Sequence, residues 1–524
     1  MADYSPVPMM SDAGVQRDGT QFSSTTYREF QWCRSYQGLP RKMGGYRQQV
    51  RGVDGIIRQF SAQSYNGYTY VHAGTQAVLQ RYTVNNDTGA VSFLTDRTPA
   101  GFIASEQNGW QFSAMYDTAS TANLVFAHAV PNIPLLTTTE NRKVYWGHAE
   151  DTAPFVEIPG IAVSGGVVAL VNYLVVYGND GELRWSVPGE PLNFFDTVKG
   201  SGDARPTATK IVRGLPLRGS GGPAALLWSL DSLVVMQWVG GDAVFSFDTI
   251  TASGSVLSSN GIIENNGIYY WATTNGFSMF NGVLRDLPNT YNKQWFLNNL
   301  NWEQRQKVFA FKIPRWSEIW WCFPLGDATE CTHAVIYNYA ENVWYDTLLP
   351  PDRRSAGQYA QVYEYPIMAC AGNSAVTTGA VTSNTWQMET GTDLIRSPPG
   401  SPIGTPPVVT AIPSWFITKE FNFLNGKQGG TNRQMSVDRI EPDFEQAEDL
   451  TLTVQTRMNA RAPIVDRVSL TFADTAADGQ EQTIKPRVTG RLMRFKVESN
   501  VTGGNYVLGT TMLHISPSDA RVES

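Results

Sequence analysis

The chain has 524 residues, of which 42% are hydrophobic and 12% aromatic, enough apolar material for more than one core. Its 40 basic and 47 acidic residues give a formal charge of −7, which argues against the generally basic surface of a protein that coats duplex DNA. The four cysteines are too few and too scattered to staple such a chain, so we expect buried free thiols and folding in a reducing cytosol.

The first segment, residues 1–60, lacks strand-like alternation, and we expect an arm or an irregular segment there. It has neither the basic head nor the apolar core of a signal peptide, and no later apolar run is long enough to predict a membrane-spanning segment. Two interpretations stay open for its basic residues: they belong to a solvated arm or form salt bridges to a neighbouring subunit, or they contact the phosphate backbone of DNA. These residues are Arg41, Lys42, Arg47, Arg51 and Arg58.

The next segment, residues 61–395, is predicted to consist of short strands joined by tight turns. In the stretch from Gly267 to Gly282, aromatic residues such as Trp271 favour a strand, and Asn275-Gly276 tolerates the positive φ of a hairpin turn. The same pattern recurs around three other turns. These are Asn179-Asp180-Gly181, Gly240-Gly241 and Ala340 to Asn342.

Many short strands with repeated hairpins indicate an all-β sandwich, barrel or propeller, and a segment of about 330 residues is too long for one simple sandwich. A degenerate β-propeller suits the length, because blades of about 40 to 50 residues would number six or seven. The spacing of the turns is uneven, so the blades are expected to be irregular. The one plausible helix, Leu297 to Ala310, is short.

The remainder of the chain is predicted to form a separate domain. Residues 396–414 contain six prolines and are expected to form an extended linker or a long surface loop. Alternation returns afterwards, for example in "LTLTVQT" and "RLMRFKVES", so residues 415–524 are predicted to form a small C-terminal β-sandwich.

The sequence contains none of the common catalytic or metal-binding motifs. The five histidines have no metal-ligand spacing, no G-x-S-x-G sequence is present, and the Gly-rich stretch from Gly214 to Pro223 lacks the Lys-Ser/Thr ending of a phosphate loop. The Asp-box of sialidase-like propellers is not matched at Asp180-Gly181. We therefore expect no enzyme activity, no cofactor, no metal and no catalytic residue, although a pair of carboxylates for glycoside hydrolysis stays open.

The order of the parts resembles that of the tail hub or nozzle proteins of short-tailed bacteriophages, also called packaged-DNA stabilisation proteins or tail tubular proteins B. Two of the matching stretches lie in the propeller-like segment and two in the C-terminal segment. They are Ser259 to Phe277, Ile336 to Tyr345, Arg433 to Glu445 and Gly490 to Ser499. The Pro-rich segment departs from the family pattern.

This resemblance implies a virion structural protein, made in the bacterial host cytoplasm and located in the viral tail. It implies a homo-hexameric ring below the portal and the head-to-tail adaptor ring, with tail fibre, spike or needle proteins attached nearby. Genomic double-stranded DNA would pass through the axial channel, which helps retain the packaged genome until ejection. Two alternatives stay open: a propeller-type protein of a tail or cell surface that binds or hydrolyses glycans, and a kelch-type interaction propeller.

Overall fold

The computed structural model describes residues 5–20, 24–92, 94–106, 108–117, 120–129, 142–241, 243–252, 254–360, 365–371, 381–397, 406–422, 433–474 and 483–521. Within these ranges the chain is mostly β, and its strands form many small sheets that are almost all antiparallel. This agrees with the all-β class predicted from the turn-rich, aromatic strand patterns.

Six consecutive sheets each contain four antiparallel strands in chain order. Sheet 1 comprises Ile57–Tyr65, Tyr68–Thr75, Leu79–Asn85 and Thr95–Asp96; sheet 2, Gln111–Asp117, Ala122–His128, Lys143–His148 and Val156–Ala162; sheet 3, Gly166–Ala169, Leu174–Tyr177, Leu183–Trp185 and Gly202–Ala204. Sheet 4 comprises Ile211–Pro216, Ala224–Ser229, Leu233–Trp238 and Phe245–Thr251; sheet 5, Ile262–Asn265, Ile268–Thr273, Gly276–Phe280 and Leu284–Asp286; sheet 6, Phe309–Ile313, Glu318–Phe323, His333–Asn338 and Val343–Leu348.

Sheet 7 takes its fourth strand from the N-terminal part of the chain. Its first three strands are Ala356–Gln358, Ile367–Ala369 and Thr382–Met388, and Tyr46–Asp54 pairs antiparallel with the third. The strands Leu394–Arg396 and Val408–Thr410 extend the sheet beyond it. Both lie within or beside the predicted Pro-rich linker, whose central residues 398–405 lie outside the described ranges.

The first strands of the seven sheets contact one another in succession. Sheets 1 to 4 are linked in this way, as are sheets 5 to 7, and the first strand of sheet 7 contacts that of sheet 1. Sheets 4 and 5 share a core instead, in which the rings of Trp228 and Trp271 are 5.7 Å apart. This arrangement is consistent with a β-propeller.

The four predicted hairpins are confirmed. Strands pair across each of the four turns, as in sheet 5, where Tyr270 lies opposite Met279. Trp271 is 2% exposed, so the aromatic run packs in the core as its strand preference suggests. Gly276 has φ +151°, a backbone conformation that glycine accepts more readily than other residues.

The C-terminal part of the chain forms three sheets that include strands from the N-terminal segment. Sheet 8 comprises Ser5–Pro8, Met512–Arg521, Arg433–Glu441 and Val488–Gly490; sheet 9, Glu29–Gln31, Ser414–Ile417, Leu492–Ser499, Leu450–Arg457 and Val465–Phe472; sheet 10, Phe444–Ala447, Asn505–Leu508, Leu39–Lys42 and Cys33–Tyr36. We call these three sheets the C-terminal lobe. A separate parallel pair, Asp12–Val15 and Thr26–Tyr27, contacts the strand Val343–Leu348 of sheet 6 through its first member.

The N-terminal segment therefore differs from the arm or irregular segment that we expected, because it forms seven strands between Ser5 and Asp54. Six of these strands are two to four residues long, and three of the six, like the longer Tyr46–Asp54, pair with strands hundreds of residues away. Such short strands give no local alternation that a sequence pattern could reveal.

One hydrophobic core joins the C-terminal lobe to sheets 6 and 7. It contains Trp32 of the N-terminal segment, Trp320 of sheet 6, Trp386 of sheet 7 and Phe416 of sheet 9. The rings of Trp32 and Trp320 are 6.3 Å apart in an edge-on arrangement. The four cysteines are buried and none of them is in a disulfide bond, as expected.

The predicted helix from Leu297 to Ala310 is placed differently. An α-helix spans Lys293–Asn299, and a 3₁₀ helix spans Trp302–Lys307. Between them Leu300 is extended, and the Asn301 side chain accepts a hydrogen bond from the Glu303 N–H, which caps the second helix. Shorter 3₁₀ turns occur at Asn179–Gly181, Thr197–Lys199, Ser259–Gly261 and Pro314–Trp316.

Candidate functional site

The five basic residues singled out in the sequence do not form one surface. Arg58 is buried, and its Nη1 and Nη2 donate to the Glu330 carboxylate at 2.8 and 2.9 Å. Lys307 Nζ donates to the same carboxylate at 2.9 Å. Burial alone would raise the pKa of Glu330, but the hydrogen bonds and charges of Arg58 and Lys307 hold it below its ordinary value.

Two more of the five also have partners within the chain. Lys42 is buried and its Nζ donates to the Gly504 carbonyl at 2.7 Å; burial lowers the pKa of Lys42 to about 8. The Arg41 guanidinium lies 4.7 Å from the ring centre of Trp316. Arg47 is exposed and Arg51 half-buried on the closing strand of sheet 7. Contact of these two residues with DNA or a neighbouring subunit stays a prediction.

A buried ion network, which we did not predict, joins the N-terminal segment to sheets 6 and 7. Arg34 donates to Glu318 at 2.8 Å and to Glu389 at 2.6 Å, and the three side chains are 1%, 0% and 6% exposed. Tyr345 donates to Glu318 and Trp316 donates to Glu389. Although burial disfavours its charge, the two carboxylates raise the pKa of Arg34 above its ordinary value.

A cavity of about 850 Å³ opens beside the first strands of five sheets. Sheet 1 contributes Gln59, sheet 4 Arg213, sheet 5 Glu264, sheet 6 Lys312 and sheet 7 Gln358. The size lies within the range of small-molecule sites in proteins, roughly 300 to 1,000 Å³. We therefore treat this central cavity as the candidate functional site.

No described residue of sheets 2 and 3 lines the cavity, and the first strands of these sheets lie close to sheet 4. Tyr177 donates to Gln111 Oε1 at 2.7 Å and accepts the N–H of Gly214 at 2.8 Å, while Gln111 Nε2 donates to the Val212 carbonyl at 2.7 Å. A Cβ at Gly166 would lie 2.0 Å from Gln111 Oε1, so only glycine allows this approach.

The lining of the cavity carries more positive than negative charge. Lys312 Nζ donates to the Glu264 carbonyl at 2.8 Å and lies 3.8 Å from its carboxylate. The more exposed Arg218 lies 3.5 Å from the same carboxylate. Burial lowers the pKa of Lys312, an effect that the Glu264 charge opposes. Glu264 is thus shared by two cations.

Arg213 is the third cation of the lining and forms no ion pair with a described residue. Its Nε and Nη1 are buried and have no hydrogen-bond partner in the described part of the chain. Burial lowers the pKa of Arg213 from its ordinary value. A guanidinium nevertheless keeps its proton in proteins, so its charge persists at the cavity wall.

Within the described ranges, no group of three or more His, Cys, Asp and Glu side chains could hold a metal ion. His72 and His128 are fully buried, and burial lowers the pKa of His128 to about 4. No helix found among the described residues has the length and apolarity required to cross a bilayer.

Comparison with known proteins gives little further information. No family model and no curated protein matches the chain. Among solved structures, a crystal structure of Sqt1 from Saccharomyces cerevisiae is similar, with 10% identity, 72% of this chain and 96% of that chain covered, and a TM-score of 0.37. At this TM-score the similarity carries no argument about function.

Proposed function

We propose that the chain is a virion structural protein that forms a hexameric tail nozzle ring below the portal and adaptor. In this proposal sheets 1 to 7 are the blades of a seven-bladed propeller, and the C-terminal lobe is a β-sandwich completed by N-terminal strands. The ring surrounds the exit channel for double-stranded genomic DNA, and neighbouring fibre, spike or needle proteins attach to it. The resemblance noted in the sequence supplies this assignment.

The observation that carries the proposal is the single core that joins the two parts of the chain. The N-terminal segment contributes strands to sheets 7, 8, 9 and 10, and its Trp32 packs against Trp320 and Tyr46. The Arg34 network reinforces the same junction. A shared core of this kind holds the two parts of the chain together, which suits a subunit of a closed ring.

An exposed apolar edge offers a surface for contact between subunits. The segment after Pro188 carries Phe195 and Val198, which are 62% and 96% exposed. Phe195 lies over Gly160, where an added Cβ would be 2.9 Å from its ring, so the edge belongs to sheets 2 and 3 together. Contiguous exposed apolar residues often mark protein interfaces.

Negative-stain imaging of the purified protein tests the proposal, alone and after mixing with the portal and adaptor proteins encoded beside it. Six-fold rings with an axial hole, especially rings that form only on the adaptor, are expected. Isolated two-lobed particles that do not bind the adaptor would contradict the proposed function in the tail.

The contribution of the apolar edge can be tested in the same images. Phe195→Ser should reduce the fraction of subunits in rings, because it replaces exposed apolar area. Val283→Ser, at a valine that is 57% exposed in the turn before the fourth strand of sheet 5, is the matched control and should leave the fraction unchanged. If rings persist with Phe195→Ser, the contact between subunits lies at another surface, and the proposed ring is not contradicted.

A further inference from the structure

The unpaired charge of Arg213 at the wall of the central cavity needs a partner. Ionised groups removed from water are costly unless they are paired and hydrogen-bonded. Lysine or histidine can respond to burial by losing the proton, but an arginine side chain cannot. Arg213 is half-buried at the cavity wall, it forms no ion pair with a described residue, and two of its nitrogens are buried without partners, so an anion in the cavity would be stabilising there.

No group in the described part of the cavity wall supplies that anion. Glu264 carries the one carboxylate among the lining residues, and it already faces Lys312 and Arg218. Tyr177 lies near Arg213, but burial raises the pKa of its phenol to about 12, so it is neutral at pH 7. Its hydroxyl is also engaged by Gln111 and Gly214.

Two amide side chains of the lining are also unsatisfied. Asn260 Oδ1 and Gln358 Oε1 are buried and accept no hydrogen bond from the described residues. The terminal torsion of such amides is broad, so turning them toward a ligand is easy. Asn260 precedes sheet 5 and Gln358 belongs to sheet 7, so the acceptors lie on two sides of the cavity, where ligand hydroxyl groups would satisfy them.

We propose that the central cavity binds a small hydroxylated oxyanion, a sugar acid or a sugar phosphate, with Arg213 as its anion-binding residue. Carboxylate and phosphate each offer two oxygens on one central atom, and these can accept two parallel N–H hydrogen bonds from a guanidinium. The cavity of about 850 Å³ has room for such a molecule with several hydroxyl groups. This binding does not depend on the assembly of the chain into a ring.

Isothermal titration calorimetry on the full chain tests the proposal with glucuronate, glucose 6-phosphate and glucose. At least one of the two acids should bind saturably, and glucose should bind at least about tenfold more weakly because it lacks the charged partner for Arg213. Binding of glucuronate alone identifies a carboxylate ligand, and binding of glucose 6-phosphate alone identifies a phosphate ligand. Equal binding of glucose, or no saturable heat from either acid, would overturn the proposal.

Substitutions then assign the anion to Arg213. Arg213→Met should weaken binding of the acid by about tenfold or more, whereas Arg285→Met, at an exposed arginine of sheet 5, should leave it unchanged. If Arg213→Met does not fold, Arg213→Lys is the second variant. It keeps the positive charge but lacks the two parallel N–H donors of the guanidinium, so an intermediate loss of affinity is expected. Unchanged affinity in the folded Arg213 variants would assign the anion elsewhere and contradict the role of this residue.

Discussion

The junction between the lobes and the wall of the central cavity each hold an arginine with opposite surroundings: Arg34 is fully buried, and Arg213 is half-buried with two buried nitrogens. Arg34 at the junction meets two carboxylates, Glu318 and Glu389, and aromatic donors complete their hydrogen bonds. Arg213 at the cavity meets no carboxylate in the described part of the chain, and two of its nitrogens lack partners. The same residue type is thus fully compensated in one region and uncompensated in the other.

This difference separates a structural role from a binding role. A compensated charge network fixes the geometry of the junction, and removal of one member leaves the others as buried unpaired charges. An uncompensated charge does not stabilise the empty protein and is better explained by a ligand. Measurements of stability can test this contrast at four positions.

The largest effect is expected for Arg34→Met. This change leaves Glu318 and Glu389 buried without their cation and should lower the free energy of unfolding by about 3 to 5 kcal/mol. Urea denaturation monitored by tryptophan fluorescence measures it. Arg285→Met is the matched control and should change stability by less than about 0.5 kcal/mol. A loss below about 1 kcal/mol for Arg34→Met would contradict the structural role of the network.

The next effect concerns His128, a buried base that, unlike arginine, can lose its charge. Its folded pKa of about 4 lies below the unfolded value of about 6.5, so the unfolded state binds the proton more tightly. The free energy of unfolding keeps the full contribution of neutral His128 above pH 6.5. It should fall by about 3 kcal/mol as the pH drops to 4, because the unfolded state then takes up the proton.

The variant His128→Asn should lose this part of the acid sensitivity. Asparagine can still donate to the Lys143 carbonyl, which accepts from His128 Nδ1 over 2.8 Å in the neutral tautomer. Urea titrations of both proteins at pH 8, 6 and 4 give the comparison, and the pH 8 values serve as the reference. An identical pH dependence in the two proteins would contradict the buried, neutral state of His128.

A smaller effect is expected for Arg58→Met, because Glu330 keeps Lys307 as a partner. The loss should be about 1.5 to 3 kcal/mol at pH 7, the range for hydrogen bonds to charged groups. The pKa of Glu330 is lower in the folded protein than the unfolded value of about 4.3. The stabilisation by ionised Glu330 is therefore fully present above pH 4.3, and it should be lost as the pH falls through the folded pKa. A loss as large as that of Arg34→Met would show that Lys307 does not compensate.

The smallest effect is expected for Arg213→Met measured without ligand. Because the charge has no partner, its removal should change the free energy of unfolding by less than about 1 kcal/mol, or raise it. The same urea titration measures this change. A loss above about 2 kcal/mol would show that Arg213 is compensated within the chain, which would remove the contrast with Arg34.

The sheets that could be predicted from the sequence are those whose strands are neighbours along the chain. The hairpins around Asn179-Asp180-Gly181 and Asn275-Gly276 are confirmed, because turn chemistry and aromatic strand residues act within a few positions. The seven N-terminal strands were missed because six of them have only two to four residues, and because four of the seven pair with strands far along the chain. The hydrogen bond from Val50 to Thr385 spans 335 positions, beyond any local pattern.

The candidate site could be predicted only in part, for the same reason. The basic cluster at residues 41–58 is visible in the sequence, but the buried partners that occupy Arg58 and Lys42 are distant in the chain. The Arg34 network joins residues that are 284 and 355 positions apart, so no spacing motif in the sequence predicts it. Arg213 is an ordinary strand residue in the sequence, and the cavity beside it depends on the arrangement of five sheets.

The origin of the fourth strand of sheet 7 also affects how the chain folds during synthesis. Tyr46–Asp54 leaves the ribosome early, but the strand Thr382–Met388 that pairs with it is made more than 300 residues later. At translation rates of about 5 to 20 residues per second, the early strand waits roughly 20 to 70 seconds with an unpaired edge. Folding of the whole chain should therefore be slow and sensitive to aggregation until the last sheet is complete.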